Sequence, residues 1–173
     1  MKVRKAVITD ASGIAKVHVD SWRTTYKNII PEQALNNLSY DKRTELWKRN
    51  ITRAGNYVYV AENNQGEIVG FGDCGKREEN EVEHSGDLTS IYLLKEYQGK
   101  GIGKELLKQI LHTCLELGYK RVFVEVLEDN KTRYFYEYYG AELLKTEKIV
   151  MSGKKLNLLV YEWDDLGEVL NKL

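Results

Sequence analysis

A strand that runs into a helix through a glycine-rich turn constrains this chain more than any other feature. From Leu88 to Leu107 an apolar, β-prone run breaks at three alternating glycines, Gly99, Gly101 and Gly103, and continues as an amphipathic helix. Such a turn gathers unpaired backbone N–H groups at one point, where the positive end of the helix dipole also lies. Glycine lets a ligand approach that backbone closely, so the turn reads as a site for a phosphate or pyrophosphate.

Two common nucleotide motifs fail at single positions. The P-loop requires Gly at 98 and Ser or Thr at 105, where the chain has Gln98 and Glu105. The dinucleotide fingerprint G-x-G-x-x-G fails because the third glycine comes one residue early. That fingerprint also follows the first strand of a fold, not one beginning near residue 88. What remains, Gln98-x-x-Gly101-x-Gly103 after an apolar strand, resembles the Q/R-x-x-G-x-G/A signature of the GNAT acetyltransferases, whose loop cradles the pyrophosphate of acetyl-CoA. A glycine turn with no ligand is the plain alternative, which the whole hexapeptide disfavours.

At 173 residues the chain can bury one core and reads as a single domain, residues 1–173. Lys+Arg and Asp+Glu balance at 26 each, which supports neither a nucleic-acid nor a membrane surface. No stretch is apolar enough for a signal peptide or a membrane span. The two cysteines, Cys74 and Cys114, lie far apart with no C-x-x-C spacing. The expectation is a cytoplasmic protein with no metal and no disulfide framework.

Strand-prone runs lie at 2–8, 57–62, 68–74, 87–94, 121–126, 141–150 and 155–163. The second and third flank the turn formers Asn63-Asn-Gln-Gly66 and read as an antiparallel hairpin. Helical periodicity follows a cap at Thr9 or Asp10, with Ile14, Val17, His18 and Trp22 on one face. It recurs at 31–38, behind a cap at Ser39 or Asp41, at 101–117 and at 132–139, and the short polar tail is open to helix. This order predicts an α+β fold with a mostly antiparallel sheet and helices on its faces. Only the strand–helix–strand unit around the glycine turn should be parallel. It is also the order of a GNAT domain, with its central seven-stranded sheet and one splayed parallel pair.

A second signature lies about thirty residues downstream. Asn130, Arg133, Phe135, Tyr136, Glu137 and Gly140 fall at the spacing of the N-x-x-R-x-F-Y-E-x-x-G variant common in that family. Ala141 stands where many relatives place Phe, and Lys95 where Pro is usual; neither position supplies chemistry. In the family the pantetheine arm of acetyl-CoA pairs with the first splayed strand like an added strand. The resemblance implies main-chain contacts from Tyr92, Leu93 and Leu94. It implies a pyrophosphate cradle from the amides of Gln98, Gly99, Lys100, Gly101, Ile102, Gly103 and Lys104, and a bond from Asn130 to the acetyl-bearing end.

Acetyl transfer to an amine needs donors for an oxyanion, and a backbone N–H near Tyr92 is a candidate. It also needs a proton for the leaving thiolate. Tyr136, at the family's helix position, is a phenol with a reference pKa of about 10 and holds its proton at neutral pH. Tyr134, Phe135, Tyr138 and Tyr139 share that helix, and most of these rings read as packing. For the amine's own proton Asp87 is favoured, with Glu83, His84 or a water chain as alternatives. Trp22 and Tyr26, one helical turn apart, fit a groove for an amine substrate and resemble a GNAT subgroup with Trp-Arg…Tyr…Pro here. Core packing is as good a reading of Trp22, and Trp47 and Trp163 read as core. Asp20 or Asp73 could attract a cationic amine.

The reading is therefore an acetyl-CoA-dependent N-acetyltransferase acting on a primary amine of a small molecule, by direct attack through a tetrahedral intermediate. The alternatives are a catalytically weak CoA-binding sensor or regulatory module, and an acetyltransferase acting on a protein amine. A polyamine, an amino acid, an antibiotic and a protein N-terminus stay open as acceptors. Homodimers are common among such domains, but no sequence feature here identifies an interface.

Overall fold

Seven strands form one sheet: β1 (Lys2–Lys5), β2 (Asn56–Glu62), β3 (Ile68–Gly75), β4 (Ser85–Leu93), β5 (Arg121–Leu127), β6 (Glu142–Met151) and β7 (Lys154–Trp163). Their order is β1-β2-β3-β4-β5-β7-β6 in the computed structural model, which describes every residue from Met1 to Leu173. Every neighbouring pair is antiparallel except β4 with β5. That is the pair joined through the glycine turn, as the element order predicts.

The helices are α1 (Ala11–Thr25), α2 (Glu32–Asn36), α3 (Tyr40–Thr52), α4 (Ile102–Glu116), α5 (Thr132–Tyr138) and α6 (Leu166–Lys172). Local chemistry sets most boundaries. In the β2–β3 hairpin Asn63 Oδ1 accepts the N–H groups of Gln65 and Glu67, each at 2.9 Å, so the side chain closes the turn. Ser39 Oγ accepts Lys42 N–H at 3.2 Å and caps α3. The polar tail is the helix α6, capped by Asp165 Oδ1 on Glu168 N–H at 3.0 Å. β1 stops at Lys5, short of the expected Ile8, because Ile8–Asp10 winds into a 3-10 turn. There the Asp10 carboxylate accepts Val7 N–H at 2.8 Å and holds the Arg4 guanidinium at 2.7 and 2.9 Å.

Apolar layers cover both faces of the sheet. On one, α4 buries Leu106, Leu107, Ile110, Leu111 and Cys114 against Leu88, Val122, Val124 and Trp163. On the other, Ile14 and Val17 of α1 and Trp47 of α3 pack on Val58, Val60 and Phe71. Trp47 and Trp163 are thus core, as expected. A third cluster, Tyr26, Ile30, Leu35, Leu127 and Leu156, sits where β4 and β5 separate.

Candidate active site

The parallel strands pair only from Ser85 to Leu88 with Arg121 to Val124. Beyond that, β4 stays with β3 as far as Leu93 opposite Gly70, while β5 stays with β7 as far as Leu127 opposite Leu158. The sheet therefore opens between β4 and β5, and a cavity of about 840 Å³ occupies the opening. Ile91 packs with the α4 core and Tyr92 with the α1–α3 core. Neighbouring strand residues point to opposite faces, and both of these line the cavity, so it passes through the sheet.

The glycine turn forms one end. Gly99 and Gly101 have φ of 72° and 80°, and a Cβ at either would meet nothing within 4 Å. Glycine is needed there for the left-handed backbone, not for space. Gly103 differs, because its Cβ would lie 3.4 Å from Phe135 Cε2 at an ordinary φ. The amide of Gln98, expected in the cradle, is taken by Lys95 O at 3.2 Å in the 3-10 turn, whereas those of Gly99, Lys100 and Gly101 donate no hydrogen bond within the protein. Those of Ile102, Gly103 and Lys104 are the donors every α-helix leaves unpaired at its start. No side chain caps α4. This row of free donors on a positive helix end fits a pyrophosphate, and the open β4 edge fits an extended amide-bearing chain.

Tyr92, Leu93, Gln98, Gly99, Gly101, Gly103, Lys104 and Asn130 line the cavity together. Lys100 turns outward, its ammonium 5.3 Å from the Tyr97 ring centroid, and the Ile102 side chain is buried in the core. The Leu93 carbonyl accepts from Ser21 Oγ at 3.3 Å and from Gln98 Nε2 at 3.2 Å, and Leu94 is engaged further. Its N–H already donates to Val69 O at 3.0 Å and its carbonyl accepts from Tyr97 at 2.9 Å. Its main-chain groups are thus engaged inside the protein.

At the far end the side chains form a small network. Thr132 N–H fixes Asn130 by donating to Oδ1 at 2.9 Å. Asn130 Nδ2 then donates to Tyr26 Oη at 3.4 Å, and the Tyr26 and Tyr92 hydroxyls are 2.9 Å apart. Burial pushes both phenols up, Tyr92 the further. Tyr136 is 5% exposed, with Trp163 edge-on at 5.9 Å. Its hydroxyl has no partner in the protein, and burial raises its pKa well above that of an exposed phenol.

Trp22 packs on Tyr26 with ring centroids 4.7 Å apart, and its buried indole N–H lacks an acceptor. Both rings stand behind the cavity wall. The rest of that wall was not legible in the sequence. His18 stacks parallel to Tyr92 at 6.1 Å and accepts a 3.0 Å hydrogen bond from Trp47 Nε1 at its Nδ1. Burial pushes His18 down to about 4, so it is neutral with its proton on Nε2.

Asp87 lies elsewhere. It is 3% exposed within β4, and its Oδ2 accepts from Arg77 N at 2.9 Å and Asn80 Nδ2 at 3.0 Å. It lines a second cavity of about 570 Å³ on the open part of the α1–α3 face. Register connects the two cavities. Tyr92, Ser90 and Asp87 oppose Phe71, Asp73 and Gly75, while Thr89 is bulged out without a partner. The three β4 residues therefore share one face, and Ser90 Oγ donates to Asp73 Oδ1. Glu83 and His84 are exposed. Asp20 is held at the surface by Lys16 at 2.9 Å and the Tyr40 hydroxyl at 2.6 Å.

Comparison with known proteins gives this arrangement a context. Residues 19–141 match the model of the Acetyltransferase (GNAT) family. An uncharacterized N-acetyltransferase, YuaI, of Bacillus subtilis (strain 168) is 38% identical over 165 residues, 95% of this chain and 94% of the relative. A probable spermine N(1)-acetyltransferase of Bacillus subtilis subsp. natto is 30% identical over 99 residues, 55% of this chain and 65% of the relative. Among solved structures, the PaiA N-acetyltransferase of Thermoplasma acidophilum in complex with coenzyme A superposes with a TM-score of 0.76 at 22% identity. That match covers 94% of this chain and 98% of the other, and at such identity it bears on the fold alone.

Proposed function

The chain belongs to the GNAT acetyltransferase family, and from that membership we propose that it acetylates a primary amine of a small molecule with acetyl-CoA. One observation carries the reading: a single cavity joins the free amides of the glycine turn to the gap between β4 and β5. Acetyl-CoA, when bound, supplies a thioester carbonyl open to direct attack by the amine through a tetrahedral intermediate. The amides from Gly99 to Lys104 hold its pyrophosphate. The open edge of β4 at Tyr92 and Leu93 pairs with its pantetheine arm, and Asn130 Nδ2 donates from the facing side. A backbone N–H beside Tyr92 stabilises the oxyanion. Tyr136, a buried ring behind the cavity lining whose hydroxyl has no protein partner and keeps its proton at neutral pH, protonates the leaving sulfur.

The second cavity supports a small cationic acceptor. Arg77 pairs with Glu125 at 2.8 Å and Lys145 with Glu147 at 2.5 Å. The lining carboxylates Glu79, Glu81 and Asp87 are left without a cation. A positively charged amine is attracted there, on the face of the sheet that reaches the gap through Ser90.

The test combines calorimetric binding of CoA with thiol release from acetyl-CoA across a panel of polyamines, amino acids and amine-bearing peptides. The proposal expects CoA binding and release driven by a small cationic amine. Binding with no release by any amine would favour a sensor, release by peptides alone would move the acceptor to protein, and no binding would end the proposal.

A further inference from the structure

Asp73 is a carboxylate that the steps above leave idle, and it is 2% exposed in the middle of β3. Such a group is costly to bury unless something uses or compensates it. Ser90, directly across on β4, donates its hydroxyl to Asp73 Oδ1. Ser90 lies two residues before Tyr92 and just past the last β4–β5 pair, Leu88 with Val124. Ser90, half-buried, therefore lies where the sheet opens, on the face that also carries the second cavity and between the linings of the two cavities rather than in either. Asp87 lies beyond the bulge, two ladder positions from Ser90 and about 7 Å from it, with its Oδ2 committed to Arg77 and Asn80.

We propose that Ser90 and Asp73 form the relay that takes the proton from the attacking amine, Ser90 as the catalytic residue and Asp73 as the positioning residue behind it. The proposal rests on the acetyltransfer reading above. The ammonium first gives one proton to water; as the neutral amine nitrogen then bonds to the acetyl carbon, an N–H bond breaks and a new O–H bond forms at Ser90 Oγ. The original Ser90 proton passes to Asp73 Oδ1. The carbon–sulfur bond breaks, and the sulfur takes the Tyr136 proton. Asp73 ends with one proton gained and Tyr136 with one lost, and water restores both.

Groups packed around Asp73 suit it to cycle between charge states. Burial pushes its carboxyl up, while Ser90 on β4, Asn56 on β2, Arg53 after α3 and Arg77 after β3 hold it back. From α1, His18 faces the next residue of the same row, Phe71, at 6.0 Å. A purely architectural Ser90–Asp73 bond would pin β3 to β4 and nothing more.

The experiment compares wild type, Ser90→Ala, Ser90→Thr and Asp73→Asn by thiol release from about pH 5.5 to 9, with an amine that wild type accepts. Infrared titration of carboxyl groups in the ligand-free proteins accompanies it. Ser90→Ala should lower kcat/KM for the amine about 100-fold, leave the acetyl-CoA KM within about twofold, and be largely rescued by Ser90→Thr. Asp73→Asn should lose as much and flatten the acid limb of the profile. In the free protein, one carboxyl titrating above the ordinary range should vanish in Asp73→Asn and move higher in Ser90→Ala. A Ser90→Ala profile matching wild type, or a loss equal at every pH and not rescued by Thr, would overturn the relay alone. No turnover by wild type with any amine would remove the acetyltransfer reading and the relay together.

Discussion

Mild acid should weaken this fold through one residue, His18. Its Nδ1 accepts from the Trp47 indole, and its ring is enclosed by Trp22, Trp47, Phe71 and Tyr92. Burial, helped by Arg43, lowers its pKa from 6.5 to about 4. A folded-state pKa below the unfolded one means that the unfolded chain takes up the proton first. The stability at stake is fully present above pH 6.5 and declines as pH falls toward 4, with no further loss from this group below that. The span corresponds to roughly 3 kcal/mol, at about 1.4 kcal/mol per pH unit. The assay is urea unfolding at closely spaced pH values for wild type and His18→Gln, which keeps an acceptor for Trp47 but cannot titrate. The difference between the two curves should shrink steadily below about pH 6.5, before ordinary carboxylates titrate. Parallel curves down to about pH 4.5 would refute the assignment of a neutral, buried imidazole.

Two further outcomes test the site. Tyr136→Phe should reduce kcat by about 100-fold or more while CoA affinity and thermal stability stay near wild type, since the hydroxyl has no protein partner to lose; unchanged turnover would remove it from the mechanism. Gly101→Ala should cost about 1–2 kcal/mol of backbone strain at φ 80° and weaken CoA binding roughly tenfold, read by thermal melting and calorimetry, whereas Gly103→Ala should be milder; equal CoA affinity for Gly101→Ala and wild type would contradict the amide cradle.

The glycine turn, the β2–β3 hairpin and the lone parallel pair were legible because each rests on local signals: glycine spacing, an Asn-rich turn and element order. What the sequence hid depends on register. Read at a strict period of two, Asp87 and Tyr92 fall on opposite faces of β4. The bulge at Thr89 puts them on the same face as Ser90 and brings Ser90 opposite Asp73. Nothing in the residues 88–90 announces that bulge. The Tyr26–Asn130 bond spans 104 residues, beyond any spacing argument, although Tyr26 and Asn130 were each singled out separately. Leu94 was grouped with Tyr92 and Leu93 from the motif, but the 3-10 turn at Lys95–Tyr97 captures its carbonyl.

The same register explains what keeps the gap open in the absence of a ligand. Separating β4 from β5 after Leu88 and Val124 forgoes several backbone hydrogen bonds, each worth about 1 kcal/mol net. The third apolar cluster opposes closure. Tyr26, Ile30, Leu35, Leu127 and Leu156 are all buried at that end of the sheet, and a buried side chain of this size contributes about 2 kcal/mol. Closing the strands would have to expel part of that cluster. Tyr26 also ties the two sides at a fixed separation, its hydroxyl meeting Tyr92 on β4 and Asn130 just past β5. Tyr26, expected in an acceptor groove, thus also serves as a spacer between the strands. A chain that pairs along β4 then recovers hydrogen bonds the fold has left open, without first prying the sheet apart, and such preorganisation is where affinity for an extended ligand comes from.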